Sequence, residues 1–134
     1  MTIGSLISGI SSSSKKLKII LICGDDSHAE NWKTVASGSN SHAEGRRTTA
    51  GGPDSHAEGA QSIAADFYSH AEGVKTEAGS AAHAERSRTI ASGVAAHAEG
   101  KNTIARGISS HSEGNQTEAN GGFSHAAGSK ETLI

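Results

Sequence analysis

The feature that most restricts how this chain can fold is a pentapeptide, Ser-His-Ala-Glu-Gly, whose copies and near-copies carry all 8 of its histidines. They stand at His28, His42, His56, His70, His83, His97, His111 and His125, spaced by 14, 14, 14, 13, 14, 14 and 14 residues. A fixed period marks a repeat architecture, in which each unit buries its surface only against its neighbours. The unit also halves. Ser41, Ala43 and Gly45 are echoed by Thr48, Ala50 and Gly52, then by Ser55, Ala57 and Gly59. The grammar is (Ser/Thr)-x-Ala-x-Gly-x-x, written twice in every 14 residues.

Small residues at i, i+2 and i+4 have the period of a strand, whose successive side chains point to opposite faces. The glycine and two free positions then supply a bend, where positive φ costs glycine least. A helix is disfavoured, because a glycine in every heptad would cost roughly 1 kcal/mol relative to alanine each time. Two short strands and two bends per unit describe one coil of a narrow, all-β parallel solenoid. Coils should stack at about 4.8 Å, the ordinary distance between strands. The inward set is Ser/Thr, Ala and Gly, with Ala43, Ala50, Ala57, Ala64, Ala98 and Ala105 as its methyl core.

At these residues the chain resembles the YadA-type head repeat of trimeric autotransporter adhesins, over roughly Ile20 to Gly128. The resemblance implies a left-handed parallel β-roll, three chains side by side, and a surface-exposed adhesive or appendage role. In that family, apolar residues opposite the Ser/Ala/Gly set line the trimer interior. Here that face carries His and Glu, as at His42 and Glu44. With no membrane anchor, stalk heptads or secretion signal visible, a complete autotransporter is not expected.

Composition adds an energetic reason for association. Leu, Ile, Val and Phe number 20 of 134 residues, and nine of them lie in the first 22 positions. Ala and Gly bury little apolar area, at about 25 cal/mol per Å². Ordering the backbone costs about 1–2 kcal/mol per residue. A lone tube of this kind should need partners, and a homotrimer or an end-to-end filament would supply them.

The single Cys23 allows no intrachain disulfide and is expected as a small packed hydrophobe, with an interchain disulfide the minor alternative. No apolar run is long enough for a transmembrane helix. The start, MTIGSLISGISSSSKKLKIILICG, lacks a basic region ahead of an apolar core and reads poorly as a secretory signal. An extracellular, cell- or spore-surface, or virion location would then require another exit, such as release by lysis.

Two regions follow: a Ser/Gly-rich segment at 1–17 that caps the tube or docks on a neighbouring chain, and the β-roll at 18–134. Ile20 and Ile22 fall in register with Ser27 and Ala29 and should plug the mouth of the first coil. Lys15, Lys16 and Lys18 would guard that edge against uncontrolled pairing. Between His70 and His83 one residue is missing, and Arg86 stands where glycine is expected, so 79–86 should be distorted with Arg86 leaning into solvent.

His and Glu at i and i+2 share one strand face, so stacking makes a column of eight histidines beside one of Glu30, Glu44, Glu58, Glu72, Glu85, Glu99 and Glu113. Bare carboxylates at such spacing repel by roughly 3–4 kcal/mol per neighbouring pair at an effective dielectric of 20. Interleaved imidazoles can relieve this by donating N–H. A His–Glu hydrogen-bond ladder at a trimer interface is the favoured reading. A metal ladder built from three symmetry-related imidazoles, and an exposed face that binds a surface receptor, are the alternatives.

Catalysis is disfavoured by geometry. Ser41 and His42 are adjacent on a strand and point to opposite sides, so the imidazole cannot activate that hydroxyl. Glycoside hydrolysis needs two carboxylates in different environments, and a periodic column offers nearly identical ones. The threonine column faces inward, which argues against ice binding, and the Gly-Gly-x-Gly-x-Asp repeats of calcium β-rolls are missing. Basic residues are scattered with no interleaved aromatics, so nucleic acid is not an expected partner. No cofactor is expected either. The reading is a non-enzymatic structural or adhesive module.

Overall fold

The computed structural model describes residues 20–130 and the backbone of a last strand at 132–133. The proposed cap at 1–17 and its guarding lysines lie outside the described residues. The rest is all-β, a parallel solenoid of 14-residue coils. One sheet holds the longer strands β2 (His28–Trp32), β4 (His42–Arg46), β6 (His56–Ala60), β8 (His70–Val74), β10 (His83–Ser87), β12 (His97–Lys101), β14 (His111–Asn115) and β16 (His125–Ser129). The other holds β1 (Ile20–Ile22), β3 (Thr34–Ala36), β5 (Thr49–Ala50), β7 (Ile63–Ala64), β9 (Glu77–Ala78), β11 (Ile90–Ala91), β13 (Ile104–Ala105), β15 (Glu118–Ala119) and β17 (Thr132–Leu133). Like pairs with like: His42 faces His56, Ala43 faces Ala57 and Glu44 faces Glu58.

The two sheets meet over a bore of methyls and hydroxyls. Ala43, Ala50, Ala57, Ala64, Ala98 and Ala105 are fully buried, as are Thr34, Thr48, Thr89, Thr103 and Thr117. Some of these hydroxyls find a carbonyl in their own chain turn: Thr48 Oγ1 donates to the Glu44 carbonyl (3.1 Å) and Ser62 Oγ to that of Glu58 (2.7 Å). Ile20 is buried and Ile22 packs beside it, in register with Thr34 and Ala36. Cys23 is a correction, since its thiol is exposed rather than packed. Alternation explains this: Ile20 and Ile22 take the inward positions, so the next residue turns out.

The bends also differ from the sequence expectation. Glycine does hold positive φ at the fourth residue of the long strands, 109° for Gly45 and 99° for Gly59. Where Asn31 and Arg86 replace it, φ narrows to 79° and 81°, the closest these side chains come to the glycine conformation. The position just before each Ser/Thr, or before the alanine that replaces it at 96, is left-handed too, and there no glycine appears: Arg47, Gln61, Lys75, Arg88 and Gln116 on one corner, Asn40, Asp54, Tyr68, Ala95 and Phe123 on the other. Each turns its N–H along the tube. Arg47 donates to the Trp32 carbonyl and Asp54 to that of Ser39, both at 2.8 Å, one coil back. The corners are thus hydrogen-bonded from coil to coil like the strands, and this offsets the cost of φ > 0.

The missing residue is absorbed wholly within the turn 79–82. Glu77–Ala78 still pairs with Ile90–Ala91, and His70, His83 and His97 stay in register. The expected distortion over 79–86 is therefore confined to four residues, and Arg86 is exposed at its strand.

Adjacent glycines give opposite predictions. A Cβ on Gly52 would collide with the Asp66 backbone, whereas one on Gly51 meets only ordinary contacts, the nearest at 3.7 Å. Gly52→Ala should destabilise by about 1–3 kcal/mol. Gly51→Ala should leave the melting temperature unchanged or raise it, by up to about 1 kcal/mol of stability. Thermal unfolding of the two variants checks the pair.

A second prediction concerns the bore. Ser112, which replaces alanine, donates to Thr117 Oγ1 (2.8 Å), and Thr117 donates to the Glu113 carbonyl (3.0 Å). Thr117→Val strands the Ser112 hydroxyl and should cost about 1–3 kcal/mol. Adding Ser112→Ala should recover most of that loss in a double-mutant cycle.

Candidate functional site

The long strands carry His, Ala and Glu at successive positions, so each strand sends Ala into the bore and His and Glu outward onto one face. The Ser41 hydroxyl lies inside and the His42 ring outside, with no way for one to activate the other. Along this face the imidazoles form a continuous stack. Neighbouring ring centroids lie 4.6–5.1 Å apart, and the rings are near parallel through the middle, at 4° between His42 and His56 and again between His97 and His111. The strand spacing imposes that distance, and it suits stacked rings.

Six of the eight imidazoles lean toward the carboxylate of their own strand. His Nε2 to Glu Oε2 distances are 3.4 Å for His28–Glu30 and 3.3 Å for His42–Glu44, His56–Glu58 and His70–Glu72. They lengthen to 3.9 Å at His83–Glu85 and 3.7 Å at His97–Glu99. Proximity and hydrogen bonding part company here. His70 and Glu72 are aligned for a bond, but the Nε2 atoms of His42, His56, His83, His97 and His111 are inaccessible to water and meet no aligned acceptor. Stacking sets the ring planes, and the hydrogen bonds take what orientation is left. In the last coil Ala127 replaces the glutamate, and His125 reaches back to Glu113 at 3.1 Å.

Protons settle the carboxylate repulsion differently from the sequence expectation. Glu85 is the least exposed carboxylate of the paired column, at 22% of its side chain, and has the most distant imidazole. Hydrogen bonding with Glu99, then loss of solvent, then Glu72 push it up to about 7, while the Glu85 hydrogen bond holds Glu99 below the usual carboxylate range. Glu30 is lowered mainly by its bond from His28. His83 and His111 are pushed down, first by burial and then by the neighbouring rings. The raised Glu85 favours a proton held between it and Glu99, which would relieve the middle of the column, whereas a charged imidazole there would have to repel two others.

The structure also gathers residues that sequence order scatters. Lys33, Arg46, Arg47, Lys75, Arg86, Arg88, Lys101 and Lys130 line the corner that follows the His strands, leaving Arg106 as the only other arginine or lysine among the described residues. Trp32 stands in that corner with Lys33 Nζ 4.7 Å and the Arg47 guanidinium 5.2 Å from its ring centroid, so an aromatic is interleaved after all. The opposite corner holds every aspartate, Asp25, Asp26, Asp54 and Asp66, and an exposed apolar ridge of Phe67, Tyr68, Val94, Ile108 and Phe123. The signal was present in the sequence as the two free positions of each heptad, sorted by which half of the unit they follow.

No protein-family model matches this chain, and no curated protein matches it.

The shifted groups set a pH signature. Glu85, raised from 4.5 to about 7, contributes stability that is complete below 4.5 and lost as pH climbs through 7. His83 and His111, lowered from 6.5, contribute stability that is complete above 6.5 and lost as pH falls. Glu85→Gln should therefore raise the melting temperature at pH 8 and change it little at pH 5. Equal shifts at both pH values would contradict the shared proton.

Proposed function

We propose that this chain is a non-enzymatic repeat module that associates as a homotrimer, with its His/Glu face turned to the three-fold axis, and serves as a rigid structural or adhesive rod. In this reading it is similar to the left-handed head repeat of trimeric adhesins and belongs to an extracellular appendage, a spore surface or a phage fibre. The observation that carries it is the pairing of a polar face with two unlike flanks. The face is bounded on one side by the basic corner and on the other by the acidic and apolar corner. A cyclic trimer joins different flanks of neighbouring chains. With the face on the axis, each interface would bring lysines and arginines against aspartates, and would cover Phe123, which is 83% exposed in the single chain. Water-inaccessible Nε2 atoms without aligned acceptors supply a further motive for partner contacts. A host or surface receptor is then left the outer face, where Val35, Ile63, Glu77, Ile90, Ile104 and Glu118 vary from coil to coil.

Sedimentation velocity tests the arrangement. His70→Arg would place three guanidinium groups at one level of the axis and should dissociate the trimer, whereas Ile63→Arg on the opposite sheet should leave it intact. A monomeric wild type, or the reverse sensitivity, refutes the reading.

Unpaired strand edges among the described residues favour a second arrangement, end-to-end stacking into filaments. Among the described residues β2 and β16 are edge strands of the long sheet. A Cβ on Gly128 meets nothing within 4 Å, whereas its equivalents meet the next coil. Negative-stain microscopy separates the two: discrete short rods support the trimer alone, and indefinite fibres support stacking.

A further inference from the structure

We propose that the two ends of the imidazole column are binding sites for a divalent transition-metal ion of the zinc class, each built within one chain from two histidines and one glutamate. The sites are His111, Glu113 and His125 at one end, and His28, Glu30 and His42 at the other. In each, one atom from every residue lies within 4.8 Å of the other two.

Three observations separate the ends from the middle. The first is ligand count. Both end clusters offer two imidazoles to one carboxylate, and at the Ala127 end His125 Nε2 lies 3.1 Å from Glu113 Oε1 while His111 Nε2 has no aligned partner. An ion between them would satisfy both nitrogens and the carboxylate together. The second is ring orientation. His28 is turned 65° against His42, and His125 is tilted 27° from His111, whereas the rings between are mostly flatter on one another. A terminal ring has one stacking neighbour instead of two and is the freer to rotate. The third is access in the single chain, where the terminal His28 and His125 side chains are 61% and 57% exposed, against 37–40% for the rings from His42 to His97.

The chemistry fits a borderline cation. Zinc takes imidazole nitrogen at about 2.0–2.1 Å and carboxylate oxygen at about 2.0–2.2 Å, and three protein ligands with one open position form a common set. Donor atoms around such an ion stand about 3.3 Å apart, which rotation of the end side chains supplies. The interior clusters, Glu72–His83–Glu85 and Glu85–His97–Glu99, offer one imidazole to two carboxylates and would have to break a stack on both sides. Magnesium and calcium prefer all-oxygen sites and should bind weakly.

The experiment is isothermal titration of the full chain, stripped with EDTA, with zinc chloride, in parallel with magnesium chloride. Two zinc ions per chain and no heat with magnesium are expected. Glu113→Gln with His125→Ala should remove one ion, and Glu30→Gln with His28→Ala the other. His56→Ala in the middle should leave the count at two, and circular dichroism confirms that each variant retains its fold. No binding to the stripped chain overturns the proposal. So does a stoichiometry that follows the total number of histidines, which would mean indiscriminate chelation along the column. The count is made per chain, so it stands or falls separately from the trimer.

Discussion

Every other property of this molecule depends on a bore that, beyond the isoleucines of its first strand, admits nothing larger than a threonine. Coils stacked at strand spacing bring backbone against backbone, and the two sheets close over a line of methyls and hydroxyls. A side chain no larger than alanine or serine at each Ala43-equivalent position is a steric condition for closure, because larger ones would force the sheets apart. The same condition operates at Gly52, where an added methyl would strike the backbone of the next coil. Core stabilisation per residue is consequently small, and the ladders of backbone hydrogen bonds carry much of the cohesion.

That closure pushes chemistry to the outside. A charged or bulky residue has only the outer faces and the corners available. The repeat then copies each choice at strand spacing, so that one histidine per coil becomes a stack and one glutamate becomes a column of like charge. Periodicity turns weak local preferences into long-range electrostatics. The chain answers in two ways: rings stack to share their apolar faces, and a glutamate in the middle has its pKa raised. Both answers depend on neighbours one coil away and have no counterpart within a single strand.

The corners show the same economy. Left-handed backbone at Arg47 or Tyr68 is unfavourable in isolation, yet it recurs in every coil because it aims an N–H at the preceding coil. Since glycine is not needed there, these positions are free to carry charge and bulk. They have been used unequally, basic on one corner and acidic or apolar on the other. A module that presents a polar face between unlike flanks is suited to cyclic association.

Read alone, the sequence determined the period, the phase of each strand, the identity of the bore and the face on which His and Glu lie. These follow from alternation along one strand, a property of local covalent geometry. Even the deletion between His70 and His83 was visible, although its confinement to 79–82 was not. The tertiary structure alone decided the exposure of Cys23, the left-handed corners, the ring stacking and the raised pKa of Glu85 beside Glu99. Each of these is set between coils, by distances of a few ångströms across the stack, and a linear order of residues does not contain them.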